Sequence, residues 1–312
     1  MPKLHRKRSL LAKLESSYAS DPTATGSANY VEVVDLEIEP VASDEVEQET
    51  IRPYAGNYPV LLANTRVNVS FGVYMVGSGS AGTPPKYDSI LLAAGLSKNV
   101  VSSTSVTYTP STLASQDSVT LYVNYDGVRH KVTGCRGSFS IVCAVNEIPR
   151  INFEMQGIFN TPTDTALPTV TKSLQPDPVL FKNGNTSSFS VFGFSAALQS
   201  WELDFANEVI YRELVGGTKE AIITDRRPSG TMVIEAVALS QKNFFTTATG
   251  TSTGTNTWVH SGGAGNIVTV SCPQTDLGQP TYEDADGITM LSLPFYATPT
   301  DAGSDEFSLA FT

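Results

Sequence analysis

Chemistry-bearing side chains are scarce in this chain of 312 residues, which has three cysteines, three histidines and two tryptophans, with charged residues at only 16%. Cys135, Cys143 and Cys272 have neither zinc-ligand nor disulfide-framework spacing, and Cys143 alternates with Phe139 and Ile141 as a core residue does. His5, His130 and His260 stand apart from one another and from any cysteine or carboxylate at ligand spacing, so no metal centre and no cofactor is expected. No apolar run approaches the roughly 20 residues that cross a bilayer, which excludes a membrane-spanning helix. The basic opening MPKLHRKRSLLAKL lacks a long apolar stretch and a small-residue cleavage site, so the expectation is no secretory signal and folding in a cytoplasm.

What is present is glycine, proline, serine and threonine among short alternating runs. Val67, Val69, Phe71, Val73 and Met75 alternate with Asn68, Ser70, Gly72 and Tyr74, a period of two that predicts a strand with one apolar face. SVTLYVNYDGVRHKVTG holds Asp126-Gly127 between two such runs, a hairpin signal. GSFSIVCAVNEIPRINFEMQGIF predicts a second hairpin, with Phe139, Ile141, Cys143, Ile151, Phe153 and Met155 on one face and Ser138, Ser140, Asn152, Glu154 and Gln156 on the other. The fold class is therefore mainly β, built of antiparallel strands with short flanking helices.

One motif competes with this reading. VNVSFGVYMVGSGSAGTPPKYDSILLAAGL contains G-x-G-x-x-G at Gly77, Gly79 and Gly82, where a dinucleotide fingerprint would sit. A nucleotide-binding strand lies in a sheet covered on both faces and should be almost continuously apolar, whereas this one alternates. Pro84 and Pro85 follow the third glycine, and no acidic residue stands at ribose distance on the next strand. The stretch is read as a connector into one short helix, with Pro85 in its first turn, Ile90, Leu91 and Ala94 as its apolar stripe, and Gly95 as its stop.

Catalytic constellations are thin, and no enzyme activity is expected. Glu202 and Asp204 imitate an acid/base pair, but alternation puts both on the polar face of a strand. YEDADG from Tyr282 lacks the full length and the distant Glu of a calcium loop and reads as a turn.

Internal echoes divide the chain. SFSIVCAVNEIPRINFEMQ from Ser138 aligns without gaps on SFSVFGFSAALQSWELDFA from Ser188, pairing Phe139 with Phe189 and Ile151 with Trp201. The strand and helix of Val67 to Gly95 echo TMVIEAVAL from Thr231 and the SQKNFFTTATG that follows. Between the first pair lies a Thr/Pro-rich linker. The start of the chain is charge-split: Lys3, Arg6, Lys7, Arg8 and Lys13 precede a run of acids from Glu32 to Glu49. The expected organisation is an extended N-terminal arm at 1–50 that orders only on assembly, a first β unit at 51–160, a linker at 161–180 and a second, related β unit at 181–312.

LLAKLESSYASDPTAT, RPYAGN, the glycine-bearing strand and helix, VTYTP, LYVNYDGVRHKVTGCRGSFSI, ELDFANEVIYR, TDRRPSGTMVIEA and YEDADGITMLSLPF follow one another in an order that resembles the tail tube proteins of long-tailed bacteriophages. The resemblance covers nearly the whole chain. It implies a tail-tube-type β-sandwich that is a non-catalytic virion protein, made in the host cytoplasm, whose rings stack into a tube. It also implies sheets joined around a channel through which double-stranded DNA passes, and partners such as terminator, tape measure and distal tail proteins. Rings in that family are sixfold, so a chain with two versions of the unit implies a trimeric ring with pseudo-sixfold symmetry in preference to a hexamer, stacked through the arm. If the echoed hairpins join the barrel, Ser138, Ser140, Asn152, Glu154, Gln156, Ser190, Glu202 and Asp204 line the lumen, where acids would repel phosphate. The alternative is an extracellular carbohydrate-binding or adhesive β-sandwich, which the Ser/Thr-rich composition also fits.

Overall fold

A computed structural model describes residues 2–312. Alternation of apolar and polar residues produces strands almost throughout, and hydrogen bonds connect 18 of them into one continuous sheet that folds over into two layers. The first layer holds eight antiparallel strands. In spatial order they are Val34–Glu47, Val60–Tyr74, Arg150–Phe159, the far half of Val128–Ala144, Leu198–Asp204, Ser229–Glu235, Ile288–Ala297 and Thr281–Ala285. Over it lie two groups of strands. One is Arg8–Leu14, Val119–Tyr125 and the near half of Val128–Ala144; the other runs from Leu96–Val101 through Ser105–Pro110, Ser308–Phe311, Ile267–Leu277 and Gly254–Ser261 to Thr186–Val191. Three short helices flank the layers, Gly26–Asn29, Asp88–Ala93 and Phe244–Ala248.

The core lies between the layers and is aromatic. Trp201 of the first layer meets Trp258 of the second at 5.5 Å between ring centroids, and Phe139 stacks on Phe205 at 4.6 Å. Such contacts add to the burial of large apolar surfaces, the main favourable term in folding. Both predicted hairpins form: Tyr125 pairs with Val128 across Asp126-Gly127, and Phe139 pairs with Phe153. Cys135, Cys143 and Cys272 are buried free thiols, and burial pushes each of them up from the ordinary range.

The halves of the chain repeat one order of elements. Each has a leading strand in the upper layer, two strands in the first layer, a helix, an upper hairpin that descends, and a closing pair of strands in the first layer. In the first half these are Arg8–Leu14, Val34–Glu47, Val60–Tyr74, Asp88–Ala93, the Val119–Ala144 hairpin and Arg150–Phe159. In the second they are Thr186–Val191, Leu198–Asp204, Ser229–Glu235, Phe244–Ala248, the Gly254–Leu277 hairpin, Thr281–Ala285 and Ile288–Ala297. The echo of Val67–Gly95 at Thr231 falls on this repeat. The gapless echo of Ser138 at Ser188 does not. Thr186–Val191 pairs with Gly254–Ser261 in the upper layer and forms no hairpin with Leu198–Asp204, so similar side-chain order there reflects strand alternation alone.

Residues 1–50 differ from the free arm that their charge predicts. Arg8–Leu14 pairs residue by residue with Val119–Tyr125, and Leu10 and Leu11 are fully buried. The turn after it is fastened by Glu15, whose buried carboxylate accepts hydrogen bonds from the Ser118 hydroxyl (2.6 Å), the Thr120 hydroxyl (2.5 Å) and the Ala19 and Gly134 amides (2.7 and 2.8 Å). Four donors offset the cost of burying that charge. The acidic run is itself the strand Val34–Glu47. Most of 161–180 is irregular and lies back on the first half, where Lys172 reaches Glu32 at 3.4 Å and the Glu32 amide donates to Gln175 at 2.7 Å.

The glycine motif also finds its physical reason. The Gly77 amide donates to Asn266 Oδ1 at 2.6 Å and the Gly79 amide to the Gly265 carbonyl at 2.9 Å, so this loop seats on the second glycine loop, SGGAGN. A Cβ on Gly77 would stand 2.4 Å from that carbonyl, and one on Gly265, whose φ is +79°, 2.3 Å from the Gly79 carbonyl carbon. The glycines let two backbones touch at the seam between the halves. The helix that follows runs Asp88–Ala93, and Gly95 at φ +86° ends it.

Candidate functional site

The outward face of the eight-stranded layer is a broad polar surface. It is built by alternation: for each buried Phe139, Ile141, Ile151, Phe153, Trp201 or Leu203, the neighbour points the other way. Register then sets the polar residues in rows. Ser138 stands opposite Glu154, Glu154 opposite Ser70 and Ser70 opposite Glu37. The adjoining row joins three side chains by hydrogen bonds, from Gln156 Nε2 to Asn68 Oδ1 (3.2 Å) and from Asn68 Nδ2 to Glu39 Oε2 (2.7 Å).

The face continues across the seam between the halves. Ser140 pairs with Asp204 and Val142 with Glu202; then Asp204 meets Ser229 and Glu202 meets Thr231. Glu235 stands opposite Met290, which stands opposite Glu283, and the layer ends there. Seven carboxylates thus share the face: Glu37, Glu39, Glu154, Glu202, Asp204, Glu235 and Glu283. Of its cations, Arg150 at the start of its strand meets Asp35 at 3.1 Å, Arg66 inside Val60–Tyr74 meets Asp44 at 3.6 Å, and Arg136 stands opposite Gln156. The Asn64 amide, and after it Arg66, hold the Asp44 carboxyl below the usual carboxylate range.

Of the residues expected to share a surface, Ser138, Ser140, Asn152, Glu154, Gln156, Glu202 and Asp204 are brought together. Ser190 is not. It lies in the upper layer opposite Thr257, between the buried Phe189 and Val191, because the hairpin that would have carried it to this face does not exist. Sequence reasoning missed Glu37, Glu39, Glu235 and Glu283. The first two were legible in VDLEIE, where acids alternate with Leu36 and Ile38, but net acidity masked the period of two.

A groove indents the first half of the face, between Glu37, Asn68, Ser70, Glu154 and Gln156 on the sheet and Asn207 on the hairpin of Asn207–Glu213 with Lys219–Arg226, and a second lies at its far end between Ser200, Val233, Glu235, Glu283 and Met290. Asn207 is fixed in the first, donating its amide N–H to Ser138 Oγ (3.0 Å) and its side-chain Nδ2 to the Gly137 carbonyl (2.9 Å). Nothing in that groove pairs a nucleophile with a base. Among the described residues no group of three His, Cys, Asp or Glu side chains is arranged to hold a metal ion, and no helix is long and apolar enough to cross a membrane. What the face offers is fixed negative charge and hydrogen-bonding groups over a broad, two-edged sheet, an arrangement that repels polyanions. Both edges, Val34–Glu47 and Thr281–Ala285, pair on one side only.

The family model described as phage tail tube protein covers residues 6–297. No curated protein matches the chain significantly.

Proposed function

The chain belongs to the phage tail tube protein family, and from that premise we propose how its sheet builds the tube. It is a structural component of the virion tail that self-assembles into the tube together with other tail components. Nothing in the fold or the family match supports a carbohydrate-binding role. Copies join edge to edge, so that their first layers close into one barrel with the acidic face inward and the genome passing along it. The observation that carries this reading is the eight-stranded layer with two open edges and an outward face of like charge. Open edges invite pairing, and closure removes them.

Barrel geometry selects the number of copies. With strands about 4.8 Å apart and tilted about 40°, sixteen strands give a backbone radius of about 16 Å, 24 about 24 Å and 48 about 48 Å. Side chains take up about 5 Å of each radius, leaving bores of roughly 22, 38 and 86 Å. A duplex about 20 Å across would have about 1 Å on each side in the first, less than one layer of water, and would leave most of the last empty. Three copies, each contributing two related four-stranded units, form a pseudo-sixfold ring that fits. The two units correspond to the repeated halves, with the linker of 161–180 between them. Seven residues line this bore by the reading above: Ser138, Ser140, Asn152, Glu154, Gln156, Glu202 and Asp204. The mass of an isolated ring tests it. Three chains of 33.3 kDa, about 100 kDa, are expected, and a ring of six would overturn the assignment.

A further inference from the structure

The seam inside the chain is itself a junction between two tube units, and it can be read as a template for the junction between copies. Inside the chain, the closing strand of the first half meets the opening strand of the second, antiparallel, with Ser140 opposite Asp204 and Val142 opposite Glu202. The two remaining edges are the opening strand of the first half, Val34–Glu47, and the closing strand of the second, Thr281–Ala285. They are the same two kinds of strand, unpartnered.

The hydrogen-bonded rows fix the correspondence. Asp204–Ser229 is the last pair before the second half leaves the sheet for its long connection, and Glu39–Asn68 is the last regular pair before the first half does so. From Asn68 the row runs to Gln156, and from Ser229 to Tyr296. Four residues back along those strands, Asn152 pairs with Ser140 and Ser292 with Thr281. Glu39 therefore stands where Asp204 stands, and Thr281 where Ser140 stands.

A second observation agrees. The long connection of the second half, the hairpin of Asn207–Glu213 with Lys219–Arg226, crosses the seam and lies on the first half. Arg136 Nη1 donates to the Ala221 carbonyl (2.7 Å), the Ala221 amide to Tyr18 Oη (2.7 Å) and Tyr211 Oη to the Thr65 carbonyl (3.2 Å), while Ala221 and Ile223 are buried. The matching connection of the first half, from Asp44 to Leu62, covers nothing. Its Ile51 and Val46 are exposed, as are Tyr54 (68%), Leu61 (56%) and Leu62 (55%). A cluster of large exposed apolar side chains on one projecting hairpin marks an interaction surface.

We propose that strand Thr281–Ala285 of one copy pairs antiparallel with strand Val34–Glu47 of the next, Thr281 opposite Glu39. The Asp44–Leu62 hairpin then lies over the neighbour's second half as the 207–226 hairpin lies over its own first half. This rests on the tube reading above and adds which edges meet and in what register. The occupant is a second copy because only a copy of this chain presents the complementary edge in the geometry already used at the seam.

The test is a disulfide across the junction in the full chain, E39C with T281C, in assembled tubes under mild oxidation. The native cysteines are buried and stay silent. The double variant is expected to give a non-reducing ladder that stops at three chains, and each single variant is expected to give none. Tubes that form but do not cross-link overturn the junction and leave the tube reading standing; a wild-type protein that forms no rings or tubes overturns the tube reading itself. If the double variant fails to assemble, amide exchange on wild-type tubes decides. Residues 34–39 and 281–285 should be as protected as the seam strands 140–144 and 200–204, and free exchange of either edge overturns the proposal.

Discussion

His260 shows how much a single buried polar residue is asked to do. Its ring stacks near Phe181, 5.9 Å between centroids, and Nδ1 is hydrogen-bonded with the Thr186 hydroxyl at 2.9 Å. Burial lowers its pKa below the ordinary 6.5, with the Val179 carbonyl opposing in part. His130 is lowered too, by burial and then by Lys3. In both, the unfolded chain binds the proton first as pH falls. Their contribution to stability is therefore complete above about 6.5 and declines below it, until the folded rings protonate as well. Urea midpoints should fall between pH 7.5 and 5, and H260Q should flatten that acid limb while lowering the plateau. An unchanged pH slope in H260Q would exclude His260 as its source. Two glycines of similar backbone conformation show the same scale. Gly127, at φ +87°, has open space around it, whereas Gly265, at φ +79°, has a backbone within 2.3 Å of where a Cβ would be. The first position is a turn and the second is a joint.

At the scale of elements, the N-terminal strand matters most for what can be removed. A chain whose first residues were a free arm would survive their deletion as a soluble subunit. Arg8–Leu14 instead buries Leu10, Leu11 and Ala12 and covers the edge of Val119–Tyr125. Losing two leucines at about 2 kcal/mol each, together with a paired edge, removes on the order of 5 kcal/mol, a large share of a typical domain's stability. Spread over the unfolding entropy of 312 residues, that loss should lower the thermal midpoint of the unassembled subunit by about 8 °C when residues 1–14 are deleted, and the bared edge should promote aggregation. Scanning calorimetry of the truncated chain checks this, and an unchanged midpoint would restore the arm reading. The projecting Asp44–Leu62 hairpin is the better candidate for an element whose fixed position waits for a neighbour.

For the whole molecule, the distribution of charge outweighs its total of −11. The acids of the eight-stranded face point one way, and in a closed ring they would face the axis together. Negative walls keep phosphates from making the counterion-releasing contacts that bind DNA tightly. Replacing Glu154, Glu202 and Asp204 together with lysine should leave assembly largely intact, since all three are exposed and Asp204 accepts only a local hydrogen bond from the Ala206 amide (2.8 Å). Ejection from particles carrying the change should slow, most strongly at low salt. Normal ejection with unchanged salt dependence would place the face outside the channel.

Much of this was legible in one dimension. Period-two alternation is a property of the backbone, so the inward and outward residues of 138–156 and 200–204 follow from sequence alone, as do the Asp126-Gly127 turn and the short helix stopped by Gly95. Which strand lies beside which does not, because pairing is a contact between distant segments and every alternating strand satisfies the local pattern equally well. Hence alternation gives Ser190 a polar face but not its layer, and the acids of VDLEIE give an extended, charged arm but not an edge strand. The match between Gly77–Gly82 and a nucleotide fingerprint could be set aside from alternation, but its purpose needed the second glycine loop at 262–265 to come within touching distance. Composition and periodicity thus determined that this protein is a two-faced β structure with acids on its wet side. Only the tertiary structure decided that those acids share one sheet, because shared facing is set by register across the fold.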